Sequence, residues 1–261
     1  MNPRMHDYSS VTELPGTRAT QEQLARLYQR YHVATQLATN KRVFELACGA
    51  GLGLGYLLHS SSSVVGGDYT EKLLRVAQSH YCGHIPLVRL DGQYLPFHGR
   101  IFDLIVLFEA IYYFKDVDKF VVEARRLLKT KGTLLIGMVN KDWSEFAPSP
   151  FSTRYFSVPE LRDILNRAGF TDLKFYGAFP VHSDSFSQKL VSLIRRWAIA
   201  FHMMPGSLEQ RARFKRLFYG TLICLPAEVS NDMTLLYPLE DITADKANIT
   251  HKIIYCTATC P

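Results

Sequence analysis

The fold of this chain is set by KRVFELACGAGLGLGYLL, residues 41–58 of 261. Residues 42–47 form a β-branched and aromatic run that fits a buried strand. Residues 48–53 carry glycine at every second position, and glycine adopts positive φ freely and lets a bound group approach the backbone. The apolar residues after Gly53 fit a helix. Strand, glycine turn and helix N-terminus together predict a site lined by backbone N–H groups.

An acidic residue, Asp68, lies 17 residues beyond Gly51 of the glycine turn. Residues 64–67 read VVGG and predict a second buried strand, which ends at Asp68. A nucleotide-binding βαβ unit carries its acceptor for the ribose hydroxyls about this far beyond its glycines. The alternative is that Asp68 only caps a helix predicted over residues 70–78. The glycine turn favours the ribose role.

Further strands alternate with helices along the chain. The sequence predicts strands over residues 85–92, 101–109, 133–139, 173–179 and 252–257, and helices over residues 117–129 and from Val158 onward. This alternation is typical of a doubly wound, parallel α/β sheet, whose ligands sit beyond the carboxyl ends of the strands. Four acids are expected at that edge: Glu45, Asp68, Asp91 and Glu109.

The predicted domain organisation has four parts. Residues 1–40 form an N-terminal arm and a cap helix, in which Thr20 and Gln23 match a capping box. Residues 41–180 form the core, residues 181–250 a helical insert, and residues 251–261 the final strand. The insert is predicted to hold helices over residues 186–203 and 208–225, which makes it a lid, substrate or dimer element.

Composition narrows the class of protein. The chain is 47% hydrophobic and 21% charged, and its net charge of +6 is lower than a dedicated nucleic-acid binder usually shows. Its five cysteines include no CxxC pair, so we expect reduced thiols and no metal site. Without an apolar signal sequence or an uncharged run of about 18 to 20 residues, we expect a soluble, cytoplasmic protein.

The motifs, in order and with matching spacing, resemble those of class I methyltransferases that use S-adenosylmethionine. ELACGAG (residues 45–51) is similar to the glycine-rich first motif of that family, with Ala47 in place of its first glycine. VGGDY (residues 65–69), RLDGQYLPF (residues 89–97) and FDLIV with FEAIYY (residues 102–113) resemble the next three. The resemblance spans roughly residues 20–180. It implies a Rossmann-like sheet of seven strands, the last one reversed.

The resemblance also implies S-adenosylmethionine as cofactor and a set of residues that contact it. Asp68 would accept from both ribose hydroxyls, Asp91 from the adenine amino group, and Glu45 would face the methionine amino group. Tyr69 would pack on the adenine. Tyr31 faces either the glycine turn or the core. The predicted cofactor residues are Tyr31, Glu45, Ala47, Cys48, Gly49, Gly51, Asp68, Tyr69, Asp91, Gly92, Leu107 and Phe108.

The predicted activity is methyl transfer to an oxygen or nitrogen of a small molecule by in-line displacement. No catalytic base is identified: Tyr113 stands where many relatives carry histidine, and His182 is a second candidate. Two alternatives stay open, a methyltransferase of RNA or another nucleic acid and a non-catalytic protein that binds S-adenosylmethionine. The chain lacks the Asn/Asp-Pro-Pro-aromatic signature of many base-methylating relatives, which disfavours the first alternative.

Substrate choice is expected to lie in the parts that the family does not share. Four aromatic residues of the 140–156 loop suit either a pocket for a flat substrate or a cover for the sheet edge: Trp143, Phe146, Phe151 and Tyr155. The insert carries a basic, amphipathic segment around Arg195 and Arg196. It is interpreted as a lid or homodimer helix, a membrane-surface helix, or a face for an anionic substrate or RNA.

Overall fold

A computed structural model describes residues 7–181 and 222–261. Within these ranges, the structure has five α-helices and ten strands, and strands alternate with helices over most of residues 42–180, as the sequence predicts. The helices are α1 (Gln21–Ala38), α2 (Leu54–Ser60), α3 (Glu71–Tyr81), α4 (Val117–Leu127) and α5 (Val158–Arg167). The strands are β1 (Arg18–Ala19), β2 (Arg42–Leu46), β3 (Ser63–Asp68), β4 (Leu87–Arg89), β5 (Phe102–Phe108), β6 (Leu128–Val139), β7 (Thr171–Pro180), β8 (Ile223–Cys224), β9 (Glu240–Ile242) and β10 (His251–Thr259).

The central sheet is mostly parallel, with the order β4-β3-β2-β5-β6-β10-β7-β9. β10 pairs antiparallel with both β6 and β7, which confirms the reversed last strand. Helices cover both faces of the sheet. Phe120 of α4 and Leu161 of α5 belong to one apolar layer, whereas Leu27 of α1 and Leu57 of α2 belong to the other. The doubly wound architecture is therefore confirmed.

The first long helix begins as its sequence predicts. The Thr20 N–H donates to Gln23 Oε1 at 2.8 Å, and the Gln23 N–H donates to Thr20 Oγ1 at 3.1 Å. This reciprocal capping box satisfies backbone donors that the first turn of a helix leaves unpaired. It starts α1 at Gln21, so that the helix runs directly into β2 and the glycine turn.

The structure corrects the prediction in two places. The sheet has eight strands rather than seven, because β9 adds an antiparallel edge strand to β7. The end of the predicted 208–225 helix is extended instead. Ile223 and Cys224 form β8, which pairs with Ala19 and Arg18 of β1. The helix predicted over residues 186–203, the basic pair in it and the first part of the second helix lie outside the described residues.

Residues after β8 also cover the core without helical structure. The Val229 N–H donates to Leu52 O at 2.7 Å, and His80 Nε2 lies 2.8 Å from Glu228 Oε2. This segment therefore packs against the turn that the sequence places at the centre of the fold. None of the helices in residues 7–181 and 222–261 combines the length and apolar character needed to cross a membrane.

Candidate functional site

A cavity of about 600 Å³ opens at the carboxyl ends of β2, β3 and β5. β2 lies between β3 and β5, so the strand order reverses its direction there, which is where doubly wound sheets bind ligands. The predicted convergence of acids is confirmed. Four carboxylates from separate strand ends line this cavity: Glu45, Asp68, Asp91 and Glu109.

The glycine turn forms one wall of the cavity in a left-handed backbone conformation. Ala47, Gly49 and Gly51 have φ values of 59°, 58° and 78°. The Tyr81 hydroxyl of α3 donates to Gly51 O at 2.6 Å and accepts from the Gly55 N–H at 3.0 Å, which ties the turn to the neighbouring helix. Ala47, which replaces the first glycine of the family motif, has a left-handed backbone that alanine adopts only at a cost. The replacement therefore affects backbone strain rather than the space at this position.

Asp68 links the second strand to this turn. Its Oδ2 accepts from the Gly49 N–H at 2.9 Å and its Oδ1 from the Thr70 N–H at 2.7 Å. Burial raises the pKa of Asp68, although the hydrogen bonds from Thr70 and Gly49 act in the opposite direction. The helix after it begins only at Glu71. Because each carboxylate oxygen can accept more than one hydrogen bond, Asp68 can also bind a ligand.

Glu45 lies at the floor of the cavity. It is 1% exposed, and its Oε1 accepts from the Tyr31 hydroxyl at 2.7 Å. Its Oε2 is buried and has no hydrogen-bond partner among the described residues. Burial raises the pKa of Glu45 to about 7, against the effects of Tyr31 and Arg30. An unpartnered buried acceptor in a cavity wall is costly, and a ligand that donates N–H groups would satisfy it.

Another part of the cavity wall is built by the N-terminal arm and α1. Glu13 of the arm forms an ion pair with the largely buried Arg30, and Tyr8 lies against Tyr69 and Tyr113, with ring centroids 6.1 Å and 5.1 Å apart. The sequence analysis did not find Tyr8, Glu13 or Arg30. A signal was present: Gln23, Arg26 and Arg30 all line the cavity, and their i, i+3, i+7 spacing forms one polar stripe on α1.

Glu109 occupies the position immediately after β5. Its backbone is left-handed, with φ 51°, and its Oε2 accepts from the Tyr112 hydroxyl at 2.9 Å and from the Val139 N–H at 3.3 Å. Burial raises the pKa of Glu109, although Arg30 and Tyr112 counteract it. This part of the cavity thus combines a held carboxylate with a largely buried guanidinium.

The predicted cofactor residues fall into two groups. Ten of them line the cavity: Tyr31, Glu45, Ala47, Cys48, Gly49, Asp68, Tyr69, Asp91, Gly92 and Phe108. Gly51 and Leu107 do not. A side chain at Gly51 would meet Ala77 and Tyr81 of α3, so this residue faces the helix. Leu107 is fully buried in the apolar layer beneath α4 and α5, because side chains alternate along a strand.

The candidate catalytic residues and the aromatic residues of the 140–156 loop differ in where they lie relative to the cavity. Tyr113 lines the cavity, but its hydroxyl lies 2.7 Å from Ser149 Oγ. His182 lies outside the described residues. The four aromatic residues of the 140–156 loop are absent from the cavity wall; Tyr155 instead stacks on Tyr112 at 4.4 Å and supports the wall from behind. Within the described ranges, no cluster of three or more His, Cys, Asp or Glu could hold a metal ion.

Comparison with known proteins shows that the central part of this chain is similar to methyltransferase domains. Residues 44–136 match the family model described as "Methyltransferase domain". A relative from Mycobacterium tuberculosis named "Probable S-adenosylmethionine-dependent methyltransferase" is 28% identical over 162 residues, which are 58% of this chain and 58% of that protein. The chain thus spans somewhat more than half the length of this relative.

Two further proteins show how widely the similarity extends. The ubiquinone/menaquinone biosynthesis C-methyltransferase of Cellvibrio japonicus is 29% identical over 143 residues, covering 51% of this chain and 57% of that protein. A solved structure from Thermotoga maritima, described as a "possible histamine N-methyltransferase", covers 92% of both chains with a TM-score of 0.59 and 16% identity. At that identity the structural similarity establishes the fold alone.

Proposed function

We propose that this chain, whose residues 44–136 match a methyltransferase domain, is a class I methyltransferase that binds S-adenosylmethionine in the cavity and methylates an oxygen or nitrogen of a small molecule. The observation that carries this proposal is the acid set at the strand ends, above all the unpartnered Oε2 of buried Glu45. The aligned relatives share only part of their length with this chain, so the activity is a proposal for the whole protein.

The residues present fit the proposed cofactor. Glu45 offers a buried acceptor to an ammonium group, whereas Asp68 and Asp91 offer carboxylates from the next two βα units to ribose hydroxyls and an adenine amino group. The left-handed turn at Gly49 lets a ligand approach the backbone closely. A cavity of about 600 Å³ lies within the range of small-molecule sites.

When bound, S-adenosylmethionine supplies a methyl group already activated by its sulfonium. The protein therefore has to hold the acceptor in line and exclude water, and positioning of this kind contributes on the order of 7–11 kcal/mol. The arm residues Tyr8, Thr12 and Glu13 line the cavity. Its size supports a small-molecule acceptor, the substrate class that the sequence predicts.

Calorimetric titration with S-adenosylhomocysteine, the demethylated product, tests the cofactor proposal. We expect the wild-type protein to bind it and Asp68→Ala to bind at least about tenfold more weakly, since a hydrogen bond to a charged group is lost. Asp103→Ala is the matched control, because Asp103 accepts from the Arg42 N–H at the opposite edge of the sheet. Absence of wild-type binding, or equal affinities for wild type and Asp68→Ala, would refute the proposal.

A further inference from the structure

Glu109 is a carboxylate on the cavity wall to which the proposed cofactor contacts assign no role. We propose that Glu109 is the catalytic proton acceptor for an O–H or N–H nucleophile. This inference rests on the proposed function and narrows it, because it names the group that receives the proton of the substrate. Three features of the described residues support it.

The first feature is the backbone of Glu109. A residue with a Cβ atom adopts φ 51° only at a cost, and such strained positions are concentrated at functional sites. The Glu109 N–H donates to Gly137 O at 2.8 Å, so β6 holds the residue in this conformation. Glu109 lies directly after β5, which places its carboxylate on the cavity wall rather than in the apolar layers of the sheet.

The second feature is the asymmetric bonding of the carboxylate. Oε2 accepts from Tyr112 and from the Val139 N–H, whereas no group in residues 7–181 and 222–261 donates to Oε1. Tyr112 is buried and stacks on Tyr155, so its hydroxyl is held in place. One oxygen is therefore anchored, and the other is available to a ligand in the cavity.

The third feature is the electrostatic setting. Burial raises the pKa of Glu109, which strengthens it as a proton acceptor, while the Arg30 guanidinium limits the rise. A proton acceptor works best with a pKa near the working pH. Tyr113, the other candidate on this wall, is less suited. Burial raises its pKa, and its hydroxyl is already paired with Ser149.

The proposed step balances without a further reactant. The X–H bond of the nucleophile breaks and its proton passes to Glu109 Oε1, while X forms a bond to the methyl carbon. The carbon–sulfur bond breaks, and its electron pair stays on sulfur as the sulfonium charge disappears. Glu109 returns its proton to water after the product leaves.

The test compares two nucleosides that differ at the transferred group. S-adenosylhomocysteine has no group beyond sulfur, whereas sinefungin carries a charged amine where the methyl group would be, and this amine mimics an N–H nucleophile. We expect Glu109→Gln to weaken sinefungin at least about tenfold, because a charge-assisted hydrogen bond is lost, and to leave S-adenosylhomocysteine almost unchanged. Calorimetry measures both affinities.

Controls separate this outcome from damage to the fold. Glutamine has the shape of glutamate and can still accept from Tyr112, and Glu123→Gln alters a carboxylate on α4 that pairs with Arg126 instead. An equal loss for both nucleosides in Glu109→Gln, or no loss for either, would overturn the inference while leaving the cofactor proposal intact. Failure of the wild type to bind either nucleoside would overturn both.

Discussion

The two ends of the cavity are built by different means. At the proposed cofactor end, which comprises Glu45, Asp68, Asp91 and the glycine turn, the carboxylates come from successive βα units, and Asp68 is bonded by backbone N–H groups. At the proposed acceptor end, Glu13 and Arg30 pair across the arm and α1. The comparison indicates that regular βα units alone can place the carboxylates of the first end, whereas the second end depends on elements far apart in sequence.

Tyr31 connects the two ends. It lies on α1 beside Arg30, yet its hydroxyl donates to Glu45, and its ring occupies the space where a side chain at Gly53 would lie. Both interpretations of Tyr31 are therefore correct: it is 3% exposed in the core and also lines the cavity. A change at one end should reach the other through this residue.

The largest effect is expected from Glu45→Gln as a function of pH. Folding raises the pKa of Glu45 from 4.5 to about 7, so Glu45 costs almost no stability below pH 4.5 and about 3 kcal/mol at pH 7. Glutamine keeps an acceptor for Tyr31 but does not titrate. Urea unfolding across this range should therefore show that the wild type loses stability relative to the variant as pH rises.

Other buried acids titrate in both proteins, so only the difference between the two curves is informative. Parallel curves would show that the carboxylate of Glu45 is not held in an unfavourable setting. Saturation with S-adenosylhomocysteine should reduce the difference, since its ammonium group would compensate the charge of Glu45.

A second, smaller loss of stability is expected from Gly53→Ala. The added methyl group would overlap the buried ring of Tyr31, and overpacking of this kind costs about 2 kcal/mol. Displacement of the ring would also disturb Glu45, so affinity for S-adenosylhomocysteine should fall as well. Gly55→Ala is the control, because there the atoms nearest to the new group belong to the movable carboxylate of Glu228. Equal stabilities of the two variants in thermal unfolding would argue against Tyr31 as the link.

A third prediction concerns the acceptor end alone. Glu13→Gln removes the carboxylate that pairs with the guanidinium of Arg30, whose side chain is 14% exposed, and should cost about 1 kcal/mol after allowance for solvent screening. Affinity for S-adenosylhomocysteine should change little. A double-mutant cycle with Arg30→Met measures the coupling, and a coupling near zero would show that the pair does not hold the arm.

The smallest effect tests the strained turn. Ala47→Gly relieves a left-handed alanine but gains unfolded-state entropy, so we expect a net stabilisation of about 0.5 kcal/mol, near 1–2 °C in melting temperature. Ala50→Gly is the matched control, since Ala50 is not among the residues with positive φ and should lose stability. The same sign of change in both variants would contradict a strained Ala47.

Individual residues show how far sequence reasoning reached. Asp68 and Asp91 were predicted on the cavity because each follows a strand of a regular βα unit, and the carboxyl ends of parallel strands meet at one edge. Gly51 and Leu107 were predicted there too, but motif membership does not tell which way a residue points. The prediction that a helix continues to residue 225 was wrong. Apolar residues at 223–225 suit a strand as well as a helix, and pairing with Arg18–Ala19 selects the strand.

The succession of strands and helices along the chain, the glycine turn and the acids at the strand ends follow from the sequence alone, because hydrophobic periodicity and residue type act over neighbouring positions. The other contacts depend on tertiary structure. Arg30 finds Glu13 across the cavity, Glu45 keeps one oxygen without a partner, and Glu109 adopts a left-handed backbone held by Gly137. Each arises where elements distant in the chain meet at the edge of the sheet, and no local pattern encodes that meeting.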